Sequence, residues 1–556
     1  MNVIDSLSFV GQDTRVRKYM YPTRLIATLG NVLDADQLLK PKSLQIGLNE
    51  PVLTTLENGA DGESASVLLD FGVELHGSAR LLSYLHEGEQ YPQVRLTFGE
   101  SVSEAMSDIG VKNATNHHSV RDMVVTLPTL SDMEYGQTGF RFLRIQLQSV
   151  NTKICIKSAL AVFIYRDVEY LGSFSCNDEI LTQIYDTAAY TCHLNMQNML
   201  WDGIKRDRLV WIGDMHPEIL TIRSVFGRLK IVEESLEFAC EQTPLPKWMN
   251  GIPSYSMWWL IILWDWYMHN GDSSFLNCYK DYAIALLVQL CELVNEDGSD
   301  NLSDYFFDWP TANTDASISG ARSVLLMALE TGKVMAKFFD NMSISELCEQ
   351  KRNALRKKEE AHFNAKQTAA FLVLTGVLDA KETTDTVLTK GGAAGMSTFL
   401  SYYILKAIDL GGDMTAALQI LRTYYGAMLD KGATTFWEDF HMEWLENASR
   451  IDEVVPEGKT DIHGDNGAFC YQGFRHSLCH GWSSGPVPFL TERVLGIQIV
   501  EPGCRKLRIA PHLGDLDWAK GTFPTPYGVV SVSHVKNADG LVSTTFTVPK
   551  EVAICF

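Results

Sequence analysis

The chain has eleven cysteines, an odd number, and no Cys-x-x-Cys pair among them. Scattered single thiols argue against a disulfide framework or a thiolate zinc site, and point to a reducing compartment. Basic charge is also scarce. Lys and Arg number 47 against 68 Asp and Glu, a net charge of −21. With no basic surplus to neutralise phosphates, a nucleic-acid partner is not expected, and the balance suits a soluble protein with neutral ligands. Long apolar runs are missing too. The longest, near Met257 to Leu263, is broken by Asp265 and His269 and is too short to span a membrane. The first twenty residues, MNVIDSLSFVGQDTRVRKYM, hold no apolar stretch of the signal type. The expected location is therefore cytoplasmic, or periplasmic if a leader has been removed. No exact repeat is present, which excludes a simple solenoid.

What is there is ordinary globular material. At 556 residues the chain is long enough for two to four domains with a large core. Twelve Trp and twenty Tyr provide faces that suit sugars, although most such rings belong in cores. Residues 1–170 read as β. Ser66–Phe71, Ala79–Leu85, Gln93–Phe98 and Phe140–Leu147 are short runs, several of them alternating, separated by turn residues. Antiparallel sheets packed as a sandwich are expected there. His117-His118 lies in a connection without a third ligand at metal spacing, so a surface loop is the simpler reading. Residues 171–495 change period. Apolar faces of helical spacing run through Ile219–Ala239, Met257–His269, Phe275–Val294, Ala316–Phe339, Ile344–Phe363, Met396–Ile408 and Ala416–Leu429. A series of helical hairpins this long closes readily into a ring with a pocket at one end. Residues 496–556 return to β and predict a small C-terminal sheet domain.

The most informative stretch is Trp201 to Glu218, WDGIKRDRLVWIGDMHPE. Asp202, Asp207 and Asp214 can hold hydroxyls or supply a proton. Arg206 can orient a carboxylate or keep it charged. Trp211 offers a flat face to a pyranose. His216, Pro217 and Glu218 read as a helix start, since Pro and an acid suit the first turn. A solvated charged loop with a core Trp is the plain alternative. Further aromatic and polar clusters follow helix ends: IPSYSMWW at Ile252–Trp259, FFDWP at Phe306–Pro310 with Trp309, GATTFWED at Gly432–Asp439 with Trp437 and Glu438, and FRHSLCHGWSSGP at Phe474–Pro486 with His476, His480 and Trp482. Core aromatics explain any one of these. Their recurrence after helix ends is what loops around one pocket would give.

Together these segments resemble the alpha-L-rhamnosidases of glycoside hydrolase family 78. The resemblance rests on D-x-x-x-R-D-R-L-x-W-x-G-D at Asp202–Asp214, G-A-T-T-x-W-E at Gly432–Glu438 and C-H-G-W-S-S-G-P at Cys479–Pro486. LDFG at Leu69–Gly72, RLTFGESVSEAM at Arg95–Met106, TGFRFLRI at Thr138–Ile145 and the tail from Pro502 extend it over nearly the whole chain. It implies a central six-hairpin (α/α)6 barrel flanked by N-terminal and C-terminal β-sandwiches. The implied activity is inverting hydrolysis of terminal non-reducing alpha-L-rhamnose, with a rhamnose-containing glycoside as partner and no metal or cofactor. By motif position, Asp207 takes the general-acid place and Glu438 the general-base place. Asp202, Arg206, Asp214 and His480 take sugar-holding places, and Trp211 a wall of the subsite that holds the rhamnose. Trp309 and Trp437 are further binding candidates. The family more often has Glu at the Asp207 position, in a segment one residue longer. A carboxyl one methylene shorter must be brought about 1 Å closer, and such displacements can cost about a hundredfold. Glu218 stands in reserve as a nearby carboxylate.

Inverting chemistry calls for a protonated Asp207 and an ionised Glu438. Burial and neighbouring carboxylates are expected to raise the first, and a more polar setting to keep the second charged. A lyase on the same toroid would use Tyr471 or His480 as base with Arg475. A rhamnose-binding protein would keep the pocket and lose the acid. The assembly considered is a homodimer, on which the spacing is silent.

Overall fold

The computed structural model describes residues 13–50, 52–60, 64–358 and 360–556. Most of the N-terminal stretch read for a signal, residues 1–12, lies outside them, as does residue 359 within the expected Ile344–Phe363 helix. Among the described residues, no helix is long and apolar enough to cross a membrane. The chain divides into two compact units. Of the described residues, one takes those from 13 to 109, 115–168 and 196–200, and the other those in 110–114, 169–195 and 201–556.

The described residues of the first unit form an antiparallel sheet of nine strands. Its runs alternate as expected, with Val67, Leu69, Phe71, Val94, Leu96, Phe98, Leu143 and Ile145 turned into one apolar core. One expectation is corrected. The runs Ser66–Phe71 and Ala79–Leu85 are not separate strands but belong to one strand, Ser66–Ser83, broken by irregularities in register between Asp70 and Leu75 and between Gly77 and Ala79. Gly72 lies in the first of them with φ +86°, a conformation that costs glycine little. Different parts of this strand pair with Arg24–Leu29, Asp132–Leu147 and Thr152–Arg166.

The second unit holds the long helices. Glu179–Asn195, Met215–Val225, Pro253–Asn270, Asp315–Phe338, Lys366–Leu374, Ser401–Leu410 and Met414–Asp430 pack each on the next, and the last packs back on the first. The expected ring is therefore closed. Lys230–Gln242, Lys280–Glu292 and Met342–Leu355 are further helices of this unit, the last packing on both Asp315–Phe338 and Lys280–Glu292. The expected helix Ile219–Ala239 is two helices, because Gly227 (φ +76°) turns the chain after Val225. The Met342 helix ends at Leu355, short of the expected Phe363. C-terminal strands follow in a four-stranded and a three-stranded sheet. The four-stranded sheet takes its edge strand, Ser173–Cys176, from ahead of the first ring helix.

Candidate active site

The segment after the Glu179–Asn195 helix forms a tight loop closed by Asp202. The Asp202 N–H donates to the Leu209 carbonyl (3.1 Å), and the Leu209 N–H donates to Asp202 Oδ1 (2.9 Å). Asp207 and Arg208 both take left-handed backbone, φ +55° and +60°. Two such residues in succession bring the chain round in few residues, which suits the short R-D-R-L form of the motif. Lys205 is buried and donates to the carbonyls of Phe474 (3.1 Å) and His476 (2.6 Å). Asn250 accepts from the Ile212 N–H and donates to the Val210 carbonyl, both at 3.0 Å, and so fixes the backbone on either side of Trp211. The expected helix start is found at Met215, with Pro217 in its first turn. Asp214 precedes the helix but does not cap it. Its Oδ1 accepts from the Tyr255 hydroxyl at 2.8 Å instead. Gly213 makes this contact reachable, since a Cβ there would sit 2.2 Å from the Tyr255 ring.

The GATTFWE and CHGWSSGP segments are laced together. Thr435 Oγ1 donates to the Leu478 carbonyl (2.7 Å), Ser483 Oγ to the Trp437 carbonyl (2.5 Å), and the His480 N–H to the Phe436 carbonyl (3.1 Å). The Glu438 carbonyl accepts from both Thr398 Oγ1 (2.5 Å) and Trp482 Nε1 (2.8 Å). The Ser477 N–H donates to Glu438 Oε2 at 3.2 Å. The hydroxyls and indole of these motifs thus hold the backbone that carries Glu438.

These elements enclose a cavity of about 700 Å³. Asp202, Arg206, Asp207, Trp211, Asp214, Trp309, Glu438 and His480 all line it. Trp437 does not. Its side chain is 1% exposed and packs on Phe440 and His476, so the expectation of a sugar contact from it is corrected. Its place in the sequence beside Glu438 is misleading because this segment has no regular period from which side-chain direction could be read. Glu218 does not line the cavity either. It is fully buried in the Met215–Val225 helix with no hydrogen-bond partner for either oxygen, and a Cβ on Gly481 would fall 1.4 Å from Oε1. Tyr471 and Arg475, considered for a lyase, are likewise absent from the lining. Sequence reasoning missed Tyr255, Phe306, Tyr305 and Cys470, which do line it. Tyr255 and Phe306 sat in segments already marked, whereas Tyr305 and Cys470 lie outside them.

Arg206 joins the two candidate catalytic carboxylates. Its Nη2 contacts Glu438 Oε1, and its Nη1 lies 3.4 Å from Asp207 Oδ1. Burial opposes the charge on Arg206, but Glu438 and Asp207 outweigh it and raise its pKa. The two carboxyls differ in setting, in the direction opposite to that expected. The Glu438 side chain is 3% exposed and that of Asp207 19%. Burial pushes the Glu438 carboxyl above its ordinary range, against the pull of Arg206 and the Ser477 N–H. A guanidinium, not water, supports its charge.

His480 Nε2 lies 3.7 Å from Asp202 Oδ2 and 3.9 Å from both Asp214 Oδ2 and Glu438 Oε1. These separations are too long for hydrogen bonds and leave room for a shared hydroxyl. Burial drives the Asp202 and Asp214 carboxyls well above their ordinary range, and nearby carboxylates add to the effect. Burial, with Arg206, holds His480 well below its own. Both aspartic acids are thereby biased toward holding a proton and the imidazole toward its neutral form, an array able to donate and accept. Trp211 Nε1 is buried without a protein partner and is a further donor at the wall. Trp309 stacks on Phe469 at 5.6 Å between ring centres.

The chain is similar to known proteins over most of its length. The family described as bacterial alpha-L-rhamnosidase six-hairpin glycosidase domain matches residues 169–494, and the corresponding C-terminal domain matches 496–555. An alpha-L-rhamnosidase of Alteromonas sp. (strain LOR) is 25% identical, over 93% of this chain and 58% of its own length. Among solved structures, a family 78 rhamnosidase of Bacillus sp. GL1 superposes with a TM-score of 0.74 at 21% identity, covering 91% of this chain and 54% of the other. A rhamnosidase from Klebsiella oxytoca with rhamnose bound gives 0.66 at 20% identity, covering 86% and 96%. The chain thus spans little more than half the length of the Alteromonas and Bacillus proteins.

Proposed function

We propose that this chain, which belongs to the bacterial alpha-L-rhamnosidase six-hairpin glycosidase family, hydrolyses terminal alpha-L-rhamnosides with inversion. The observation that carries the reading is that Asp207 and Glu438, from loops more than 200 residues apart in sequence, meet the same guanidinium in one cavity. Asp207, the more exposed of the two, protonates the leaving oxygen. Glu438, held by Arg206 and the Ser477 N–H, takes the proton of the attacking water. The water's oxygen forms the new bond to the anomeric carbon as the glycosidic bond breaks. Asp202, Asp214 and neutral His480 exchange hydrogen bonds with the sugar hydroxyls. Trp211 and Trp309 offer apolar faces. The substrate class is a rhamnose-containing glycoside or oligosaccharide.

The test is turnover of p-nitrophenyl alpha-L-rhamnopyranoside. Asp207→Asn and Glu438→Gln are each expected to lower kcat at least a hundredfold, the scale of general acid–base assistance, with small changes in KM. Wild-type turnover that both variants retain would reject the assignment of roles. Rhamnose binding without wild-type turnover would favour a binding protein.

A further inference from the structure

A second cavity, of about 540 Å³, lies across a single helical turn from the first. Trp309 of that turn, Trp309–Thr311, faces the large cavity, while Pro310 and Thr311 face the small one. Its volume falls within the about 300–1,000 Å³ usual for ligand sites. In a chain of net charge −21, none of the residues lining it is acidic. Lys366, Lys390 and His441 line it. Lys366 is 5% exposed, and its ammonium donates to the Gly392 carbonyl; among the described residues no carboxylate lies beside it. Burial alone lowers its pKa, to about 8. Lys366 is also the first residue of the nine-residue helix Lys366–Leu374, which has no side-chain cap and no acid in its first turn. Helix start and buried ammonium therefore bring positive potential to the same wall. Lys390, an exposed residue of the lining, adds to it. His441 Nε2 lies 3.3 Å from Asp439 Oδ2, so this wall connects directly to the residue after Glu438.

An ammonium buried without a counter-ion is costly, and a bound anion relieves that cost. Two lysines and uncapped amides around a chamber of this size match a planar or tetrahedral oxyanion. We propose that this cavity binds an oxyanion group, a carboxylate or sulfate, carried by the glycan whose terminal rhamnose enters the large cavity. The choice of a glycan as carrier rests on the rhamnoside reading above; the anion site itself does not.

Binding is tested first without any rhamnoside. Calorimetry and thermal unfolding are run with sodium sulfate and sodium glucuronate against sodium chloride at matched ionic strength. Sulfate or glucuronate is expected to bind the wild type and raise its Tm beyond the chloride control. Lys366→Met should weaken that binding at least tenfold, Lys366→Arg should largely retain it, and the exposed Lys390→Gln, which carries little folding risk, should weaken it several-fold. Superimposable responses to the three salts, or a Lys390→Gln protein that titrates like wild type, would overturn the site. The carrier is tested by kinetics on a neutral aryl rhamnoside and on rhamnose linked to methyl glucuronide. Lys366→Met should raise KM at least fivefold for the acidic substrate only. An equal effect on both overturns the glycan carrier and leaves a small-ion site. Wild-type inactivity on both defeats the rhamnosidase reading without touching the binding result.

Discussion

Single atoms decide much of this site. Gly213 has no side chain because the Tyr255 ring occupies that space on its way to Asp214. Gly213→Ala is expected to displace Tyr255, cost about 1–3 kcal/mol of stability as overpacking does, and lower kcat/KM at least tenfold. Chemical denaturation beside steady-state kinetics reads both. Glu218 makes a different prediction. Burial, with Asp214 and Asp202 adding, holds its carboxyl well above the ordinary value, so the folded protein keeps a proton that the unfolded chain releases. That contribution is fully present below the unfolded carboxyl pKa of about 4.5 and is lost as pH rises toward the raised folded value. Glu218→Gln is expected to flatten the decline of stability above pH 5, by up to about 1.4 kcal/mol per pH unit. Urea midpoints at pH 5 and pH 8 that fall in parallel for both proteins would contradict it. At this scale the sequence was only partly legible. Charged and aromatic types at the motif positions marked the cavity, but which of Trp309 and Trp437 faces it depends on side-chain direction in segments without regular period.

Among elements, the loop of Glu438 is the best example of motif residues acting on backbone. Thr398 and Trp482 share the Glu438 carbonyl, and Trp482 also stacks on Phe399 at 4.8 Å. Trp482→Phe keeps an aromatic ring and removes one of the two donors. It should destabilise the protein by about 1 kcal/mol and lower kcat several-fold with less change in KM, because the base is positioned less well. A pure KM effect would instead place Trp482 against the sugar. Helix existence was legible from the 3.6-residue period. The break at Gly227 was not, since the apolar face continues through it and only the left-handed turn ends the helix. Similarly, Ser66–Ser83 reads as two strands because its irregular middle interrupts the alternation while the pairing continues.

For the whole molecule, closure of the ring is secured partly by buried charge. Glu492 meets Arg223 of the Met215–Val225 helix at 2.5 Å, and Lys406 and the Tyr402 hydroxyl of the Ser401–Leu410 helix at 3.4 and 2.6 Å. Burial pushes the Glu492 carboxyl up, but Lys406, Arg223 and Tyr402 together bring it to about 2. A lowered pKa adds stability above the unfolded value, and that stability is lost as pH falls from about 4.5 to about 2. The two pKa values correspond to roughly 3 kcal/mol at neutral pH. Glu492→Gln should remove that acid-limb slope in melts followed between pH 5 and pH 2. Removing one partner of this group also leaves Arg223 buried, so the neutral-pH loss should be at least as large.

The packing of Met414–Asp430 back on Glu179–Asn195 has a consequence for synthesis. The Asp202 loop leaves the ribosome more than two hundred residues before the Glu438 loop, and the Cys479–Pro486 segment that laces the latter comes later still. Until then the early helices have no partner to complete their circle, and their apolar faces are open to solvent and to other chains. The nascent polypeptide therefore passes through a long interval in which it is both inactive and adhesive. Chaperone demand should be greatest in that interval and should end when the last motif emerges.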